Sequence, residues 1–410
     1  MPKIPEIALA KRLYFSQRDE DRHARPAVRV ALLGMIVGVM VMIVTICVIV
    51  GFKRTITEKV AGFGAHIQLV SFDNNNTYDL QPIEVSDSLM ERLGRYAHVM
   101  KAAPFITKPG MLKTDSAFEG MVLKGTDYWD FFASNVREGA VPSSPQEVLL
   151  SVRMASKLRL HCGDAVLAYF VDDDDVRARR FIISGLYDTG FAQNDDLFIL
   201  TALETARRLQ GWDEHTFSGV EMVVDDMRYL DETADEIYFA TVNHLDENGY
   251  NVYFVQTLLD QNPAIFAWLR LLDMNVVVIL ILMLLVAGFN MVSGLIIMIL
   301  DSVQFIGIMK ALGATNRFVR RVFLTQAAML IGKGVLWGNV IGLGLAAVQY
   351  WCHLVPLEPA TYYVDTVPIA FAWEWLVVLN VVTIILSMLI LLLPSLIITR
   401  ISPSKVMHFE

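Results

Sequence analysis

The side chains that could do covalent or metal chemistry in this sequence are few and far apart. His66, His98, His161 and His244 are scattered and form no metal-ligand grouping. No nucleophile motif surrounds Cys47, Cys162, Cys352 or any serine, and three cysteines cannot make a disulfide framework. Asp172 to Asp175, followed by Arg177, Arg179 and Arg180, offer oxygens without the alternating ligands and closing glutamate of a calcium loop, so a solvated hairpin tip is expected there. Gly332-Lys333 lacks the earlier glycine and the following hydroxyl of a phosphate-cradling loop. The chain therefore has no expected catalytic residue, metal or cofactor of its own, and cannot bind and hydrolyse ATP in the usual way.

What the residues do suggest is contact. The segment 301–321 is too polar to cross a membrane and too apolar to be a free loop. Phe305, Met309 and Leu312 fall at i, i+4 and i+7, one stripe of a short helix, with Gly313 as its stop and Thr315 as the cap of the next. Such a stripe can dock into a groove of a cytoplasmic partner, with Lys310 beside it, or lie on lipid. Further on, Gly334, Gly338 and Gly342 recur at four-residue steps, the spacing that lets another helix approach closely. Lys333, in the same apolar run, either faces a polar cavity, reaches the interface along its own stem, or pairs with Gln326 or Asn339. Met35, Met40, Met42, Met283, Met291 and Met298 give two other runs flexible side chains, suited either to ordinary packing or to acyl groups of varied shape.

These residues need elements to carry them, and composition says which. Of 410 residues, 54% are apolar and 19% charged, with mean hydropathy +0.46, which fits neither a water-soluble globule nor a disordered chain. Val30 to Phe52 is uncharged over 23 residues and Met274 to Leu300 over 27; Val322 to Trp351 contains only Lys333, and Trp375 to Ile398 is the fourth run. A bilayer core needs about 20 helical residues. The expectation is an α-helical membrane protein with four transmembrane helices, at 28–52, 274–300, 322–351 and 375–398, and a large α+β extracytoplasmic domain, 53–273, between helices 1 and 2. The first run starts too late and is too long for a cleaved leader.

Lysine and arginine set the orientation. Segments 1–29, 301–321 and 400–410 hold 13 basic residues in 61 positions, against 20 in the 244 positions of 53–273 and 352–374. Both termini are thus expected in the cytoplasm, with 1–27 as an amphipathic segment on the inner leaflet, 399–410 as a tail and 352–374 as an outer loop. Lys53 and Arg54 run weakly against this. The insert, with 20 basic and 34 acidic residues, is acidic, and the net charge of −9 without basic blocks excludes nucleic acid as a partner. Within it, Glu84–Val99, Thr201–Leu209 and Asp231–Leu245 read as helices. Gly120–Gly125, Ala165–Val171, Arg180–Gly185, Val220–Val224 and Asn251–Val255 read as strands. Pro142 to Pro145 is a candidate boundary between two lobes.

Several segments resemble one family in order and spacing. They are Lys11-Arg-Leu-Tyr-Phe-Ser16, Val50-Gly-Phe52, Ala65-His-Ile-Gln-Leu69, Val286-Ala-Gly-Phe-Asn290 and Ile308-Met-Lys-Ala-Leu-Gly-Ala-Thr315. Together they are similar to the FtsX-like permeases of ABC transporters, and within them to the lipoprotein-releasing branch (LolC/LolE). The resemblance covers nearly the whole chain and is densest over 28–70 and 270–345. It implies a bacterial inner-membrane subunit working with a second, homologous or identical permease and a separate cytoplasmic ABC ATPase dimer that binds ATP and Mg. It implies lipoprotein as substrate, lifted from the outer leaflet. Phe305, Met309, Lys310, Leu312 and Gly313 would carry the coupling to the ATPase, and Met40, Val44, Phe52, Met283 and Phe289 would face a lipid-accepting cavity. A periplasmic lipoprotein chaperone is the implied recipient, but the proline-containing hook by which one family member captures it has no counterpart near Asp172–Asp175. The MacB branch, which exports drugs or peptides, carries a fused ATPase that this chain lacks. The FtsX kind, which signals to a periplasmic hydrolase, implies a smaller insert.

Overall fold

The computed structural model describes residues 24–72, 78–114, 117–172, 175–242, 244 and 251–395. The N-terminal amphipathic segment and the C-terminal tail expected from the sequence lie outside the described residues. Among those described are four helices long and apolar enough to cross a membrane. They are α1 (Ala24–Gly64), α2 (Pro263–Asp301), α4 (Asn316–Cys352) and α5 (Trp373–Ser395), with the short α3 (Val303–Ala311) between α2 and α4. Three of the four outrun their apolar stretches. At 41 residues α1 is about 60 Å long, twice a hydrocarbon core. Lys53 and Arg54 lie inside it, because charged residues suit a helix as well as apolar ones do and Glu58 supplies an i, i+4 partner to Arg54 at 2.8 Å. Pro263 opens α2, where a missing N–H costs nothing.

The chain divides into two compact units. The first comprises the residues through Lys53, 269–355 and 367 onward. Its core is a single apolar cluster that includes Met35, Val39, Ile43, Ala287, Met291, Met298, Phe323, Ile331 and Leu391. Lys53, near the end of the apolar run of α1, meets Asp273, near the start of that of α2, at 2.5 Å.

The second unit comprises 54–268 and 356–366. Its strands are β1 (Ile67–Ser71), β2 (Ile83–Glu84), β3 (Val99–Lys113), β4 (Phe118–Thr126), β5 (Val136–Gly139), β6 (Glu147–Ser151), β7 (Ala165–Asp172), β8 (Asp175–Tyr187), β9 (Phe198–Ala202), β10 (Thr216–Phe217), β11 (Gly219–Val224) and β12 (Tyr253–Thr257). Ten of them form one sheet in the order β12-β1-β11-β3-β4-β9-β6-β8-β5, with β7 joining β8 back to β3. The pairs β4·β9 and β6·β8 are parallel and the others antiparallel. The circuit β3-β4-β9-β6-β8-β7 encloses Leu123, Val148, Leu150, Ala168, Phe170 and Ile199.

One sheet thus runs through the insert, and Pro142–Pro145 is no lobe boundary. The Ser143 and Ser144 amides donate to the Glu147 carboxylate at 2.8 and 3.1 Å, making a turn into β6 and holding that carboxyl below its usual range. The helix expected over Glu84–Val99 shrinks to Asp87–Leu93, capped by Ser86 and closed at Gly94. That expected from Thr201 starts at Leu203 because Thr201 and Ala202 pair with β4, and that from Asp231 ends at Thr241.

Candidate functional site

The segment between α2 and α4 folds as its residue types suggest. Gly313 sits at φ +91, a conformation that favours glycine, and so ends α3. Its N–H donates to the Lys310 carbonyl at 3.0 Å and that of Ala314 to the Met309 carbonyl at 2.9 Å, the double closure of a left-handed helix stop. Thr315 then caps α4, its hydroxyl accepting from the Phe318 N–H at 3.3 Å. The face differs from the stripe read at i, i+4 and i+7. Ile306 is the fully buried residue, with Phe323 and Val319 in the same cluster, while Phe305, Met309 and Lys310 are half-buried. Ile308 is 60% and Leu312 67% exposed, an apolar pair left uncovered among the described residues.

The glycines of α4 at four-residue steps, Gly334, Gly338 and Gly342, are buried against α1. A Cβ on Gly334 would meet the Met35 side chain, one on Gly338 would come within 2.7 Å of Val39, and one on Gly342 within 3.2 Å of Ile43. Each glycine thus receives a residue four further along α1, close-packed without room for a methyl. The segment Val286–Asn290 packs on alternate sides. Gly34 and Gly38 of α1 face Asn290 and Ala287, and Gly288 faces Ile390 of α5, leaving Val286 and Phe289 outward. Asn339 and Asn380 hold α4 to α5 through reciprocal amide bonds of 2.7 and 3.0 Å. The Asn339 amide, one of the groups considered for Lys333, is committed to that pair; Gln326 is buried with its Oε1 unbonded, and Lys333 is exposed.

Of the residues assigned to a lipid cavity, Phe289 is 73% exposed, whereas Met40, Val44, Phe52 and Met283 are half-buried. Met35, Met42, Met291 and Met298 are ordinary core residues. α2 presents an outward row of Val278, Ile281, Leu282, Leu285 and Phe289.

The sequence reading missed a polar cluster in the second unit. Lys124 of β4 and Glu221 of β11, 2% and 5% exposed, pair at 2.5 Å. Lys124 also donates to the carbonyl of Phe63 in the last turn of α1, where the helix dipole favours a cation. Register aligns Gln256, Gln68 and Glu221 across β12, β1 and β11, and the Gln68 amide donates to Glu221 at 3.1 Å while accepting from Gln256 at 2.9 Å. α1 ends at Ala65, whose φ of +56 turns the chain into β1. The signal available was one charge of each sign in the middle of an apolar strand pattern, Met121–Gly125 and Gly219–Val224. Nearby, Asp195 is fully buried and accepts from the Thr189 hydroxyl at 2.7 Å; burial outweighs those bonds and pushes its carboxyl up to about 6. Among the described residues no group of His, Cys, Asp and Glu is arranged to hold a metal.

These elements match known families over most of the chain. The family model described as FtsX-like permease C-terminal matches 277–403, and MacB-like periplasmic core domain matches 30–238, half of the chain. The lipoprotein-releasing system transmembrane protein LolC of Xylella fastidiosa is 24% identical over 401 residues, covering 93% of each chain. LolE of Haemophilus influenzae is 23% identical over 399 residues, covering 92% of each. The macrolide export ATP-binding/permease protein MacB of Wolinella succinogenes is 21% identical and covers 83% of this chain but only 53% of its own length. The periplasmic region of MacB from Actinobacillus actinomycetemcomitans aligns with 50% of this chain and 95% of its own at 12% identity and a TM-score of 0.34. The chain belongs to the FtsX-like permeases with a MacB-like periplasmic core domain, and over nine-tenths of its length it is similar to LolC and LolE proteins.

Proposed function

We propose that this chain is the permease subunit of an ABC transporter that extracts lipoproteins from the outer leaflet of the bacterial inner membrane, by transmitting work done by a separate ATPase. The four long apolar helices would cross the membrane with both termini in the cytoplasm, which puts α3 on the ATPase side and the second unit in the periplasm. A second permease subunit would cover the outward row of α2, and acyl chains would enter between its first helix and this α2. Met40, Val44, Phe52, Met283 and Phe289 are the residues assigned to that passage. Substrate would then leave toward a periplasmic chaperone.

The observation that carries the reading is α3: a short helix stopped at Gly313 between two membrane-length helices, with Ile308 and, just past its end, Leu312 exposed. Phe305, Met309, Lys310 and Gly313 would complete its contact with the ATPase. In reconstituted complex, Met309→Asp is expected to abolish substrate-stimulated ATP turnover while the permease remains folded in the membrane. Unchanged turnover would remove the coupling assignment, and failure of the wild-type complex to release labelled lipoprotein on ATP addition would remove the substrate.

A further inference from the structure

The second unit is acidic, yet one of its cavities is basic. Of about 440 Å³, it is lined by Gln146, Arg179, Arg180, Thr205 and Arg208, among others. It forms because β6 joins β8 only from Ile182 onward, with the Ile182 N–H donating to the Gln146 carbonyl at 2.8 Å. Residues 178–181 pair with β7 on one side alone, so alternate backbone groups of that stretch point away from β7. The helix Leu203–Gln210 brings Thr205 and Arg208 to the cavity from elsewhere in the chain.

The charges in the cavity do not balance. Glu204 bonds Arg208 at 2.7 Å and also pairs with Arg207. Arg179 and Arg180 have no carboxylate partner among the described residues, although the 53–273 insert carries 34 acids against 20 bases. The Thr205 hydroxyl, on a residue only 8% exposed, is likewise without a hydrogen-bond partner. Arg179 and Arg180, leaving β8 on opposite faces, flank the cavity from either side of the strand edge. With Arg208, held by one carboxylate, and the unbonded Thr205 hydroxyl, they suit a group with several acceptor oxygens and more than one negative charge. A planar carboxylate offers a single fork and a single charge.

We propose that this cavity binds a phosphate group, supplied either by a soluble phosphate or by an anionic phospholipid headgroup. The test uses the full-length protein in detergent, titrated calorimetrically with inorganic phosphate at low salt. Wild type is expected to bind, more weakly as salt rises. Arg179→Gln/Arg180→Gln is expected to bind at least tenfold more weakly and Thr205→Val two- to fivefold more weakly, with Arg228→Gln, whose guanidinium sits on Asp226, unchanged. Hydrogen exchange in nanodiscs of phosphatidylglycerol against phosphatidylcholine separates the sources. Protection of 178–181 by phosphatidylglycerol marks the lipid, and protection by added phosphate alone marks the soluble group. Equal phosphate binding by wild type and the double arginine variant, or no protection from either source, overturns the proposal.

Discussion

At the scale of residues, the polar pair Lys124 and Glu221 joins the end of α1 to the sheet. Two opposite charges buried this deeply are costly to desolvate, and removing one strands the other. Lys124→Met is therefore expected to destabilise the second unit by about 3–5 kcal/mol, read as a lowered thermal midpoint of the full-length protein. Lys124→Met/Glu221→Gln keeps an acceptor for the Gln68 amide and leaves no orphan charge, so it should melt above the single variant. A double variant melting no higher would show that the pair is not what the single change breaks. This cluster was barely legible beforehand, since a lone lysine and a lone glutamate 97 positions apart announce a pair only once the register of β11, β3 and β4 is known. The stop at Gly313 and the cap at Thr315 were legible because both act within one turn of their own backbone.

At the scale of elements, the packing of α4 on α1 makes a directional prediction. A Cβ at Gly338 would lie 2.7 Å from the Val39 Cβ and 3.1 Å from the Ile36 carbonyl, whereas one at Gly344 meets nothing within 4 Å. Gly338→Leu should lower the midpoint by the equivalent of about 1–3 kcal/mol or more, while Gly344→Ala should melt at or above wild type. Equal effects would mean that the four-residue glycine step is incidental. A long uncharged run has few alternatives to a helix and is legible as one, but its polar extension is not, as in the twelve residues of α1 after Phe52. β3 escaped notice for a definite reason. Pro104, Pro109 and Gly110 look like breakers, yet they are held in a 15-residue strand paired with β11 and β4, where each proline sits opposite a valine.

At the scale of the molecule, the distribution of basic residues and the four long helices make one prediction about sidedness. In spheroplasts of a variant lacking native cysteines, Asp213→Cys should react with an impermeant maleimide, and Gln304→Cys should react only after lysis. Both positions are exposed, so the reverse result would invert the topology and overturn the coupling role proposed for α3. The acidic insert was expected as one continuous block, and in that respect the structure is more surprising. Residues 356–366, from the loop expected merely to join two spans, belong to the second unit. There Tyr363 packs on Phe191 and Trp268, ring centroids 5.5 and 6.1 Å apart, and Lys59 donates to its carbonyl. The intervening stretch, from Trp268 to Pro356, is made entirely of other elements. A ribosome adding about 5–20 residues per second therefore needs on the order of ten seconds after completing the main body of that unit before its last piece exists. During that interval a nascent chain presents bare aromatic rings, so quality-control factors that survey newly exported segments have a defined window in which to act, and it closes only after α4 has been synthesised.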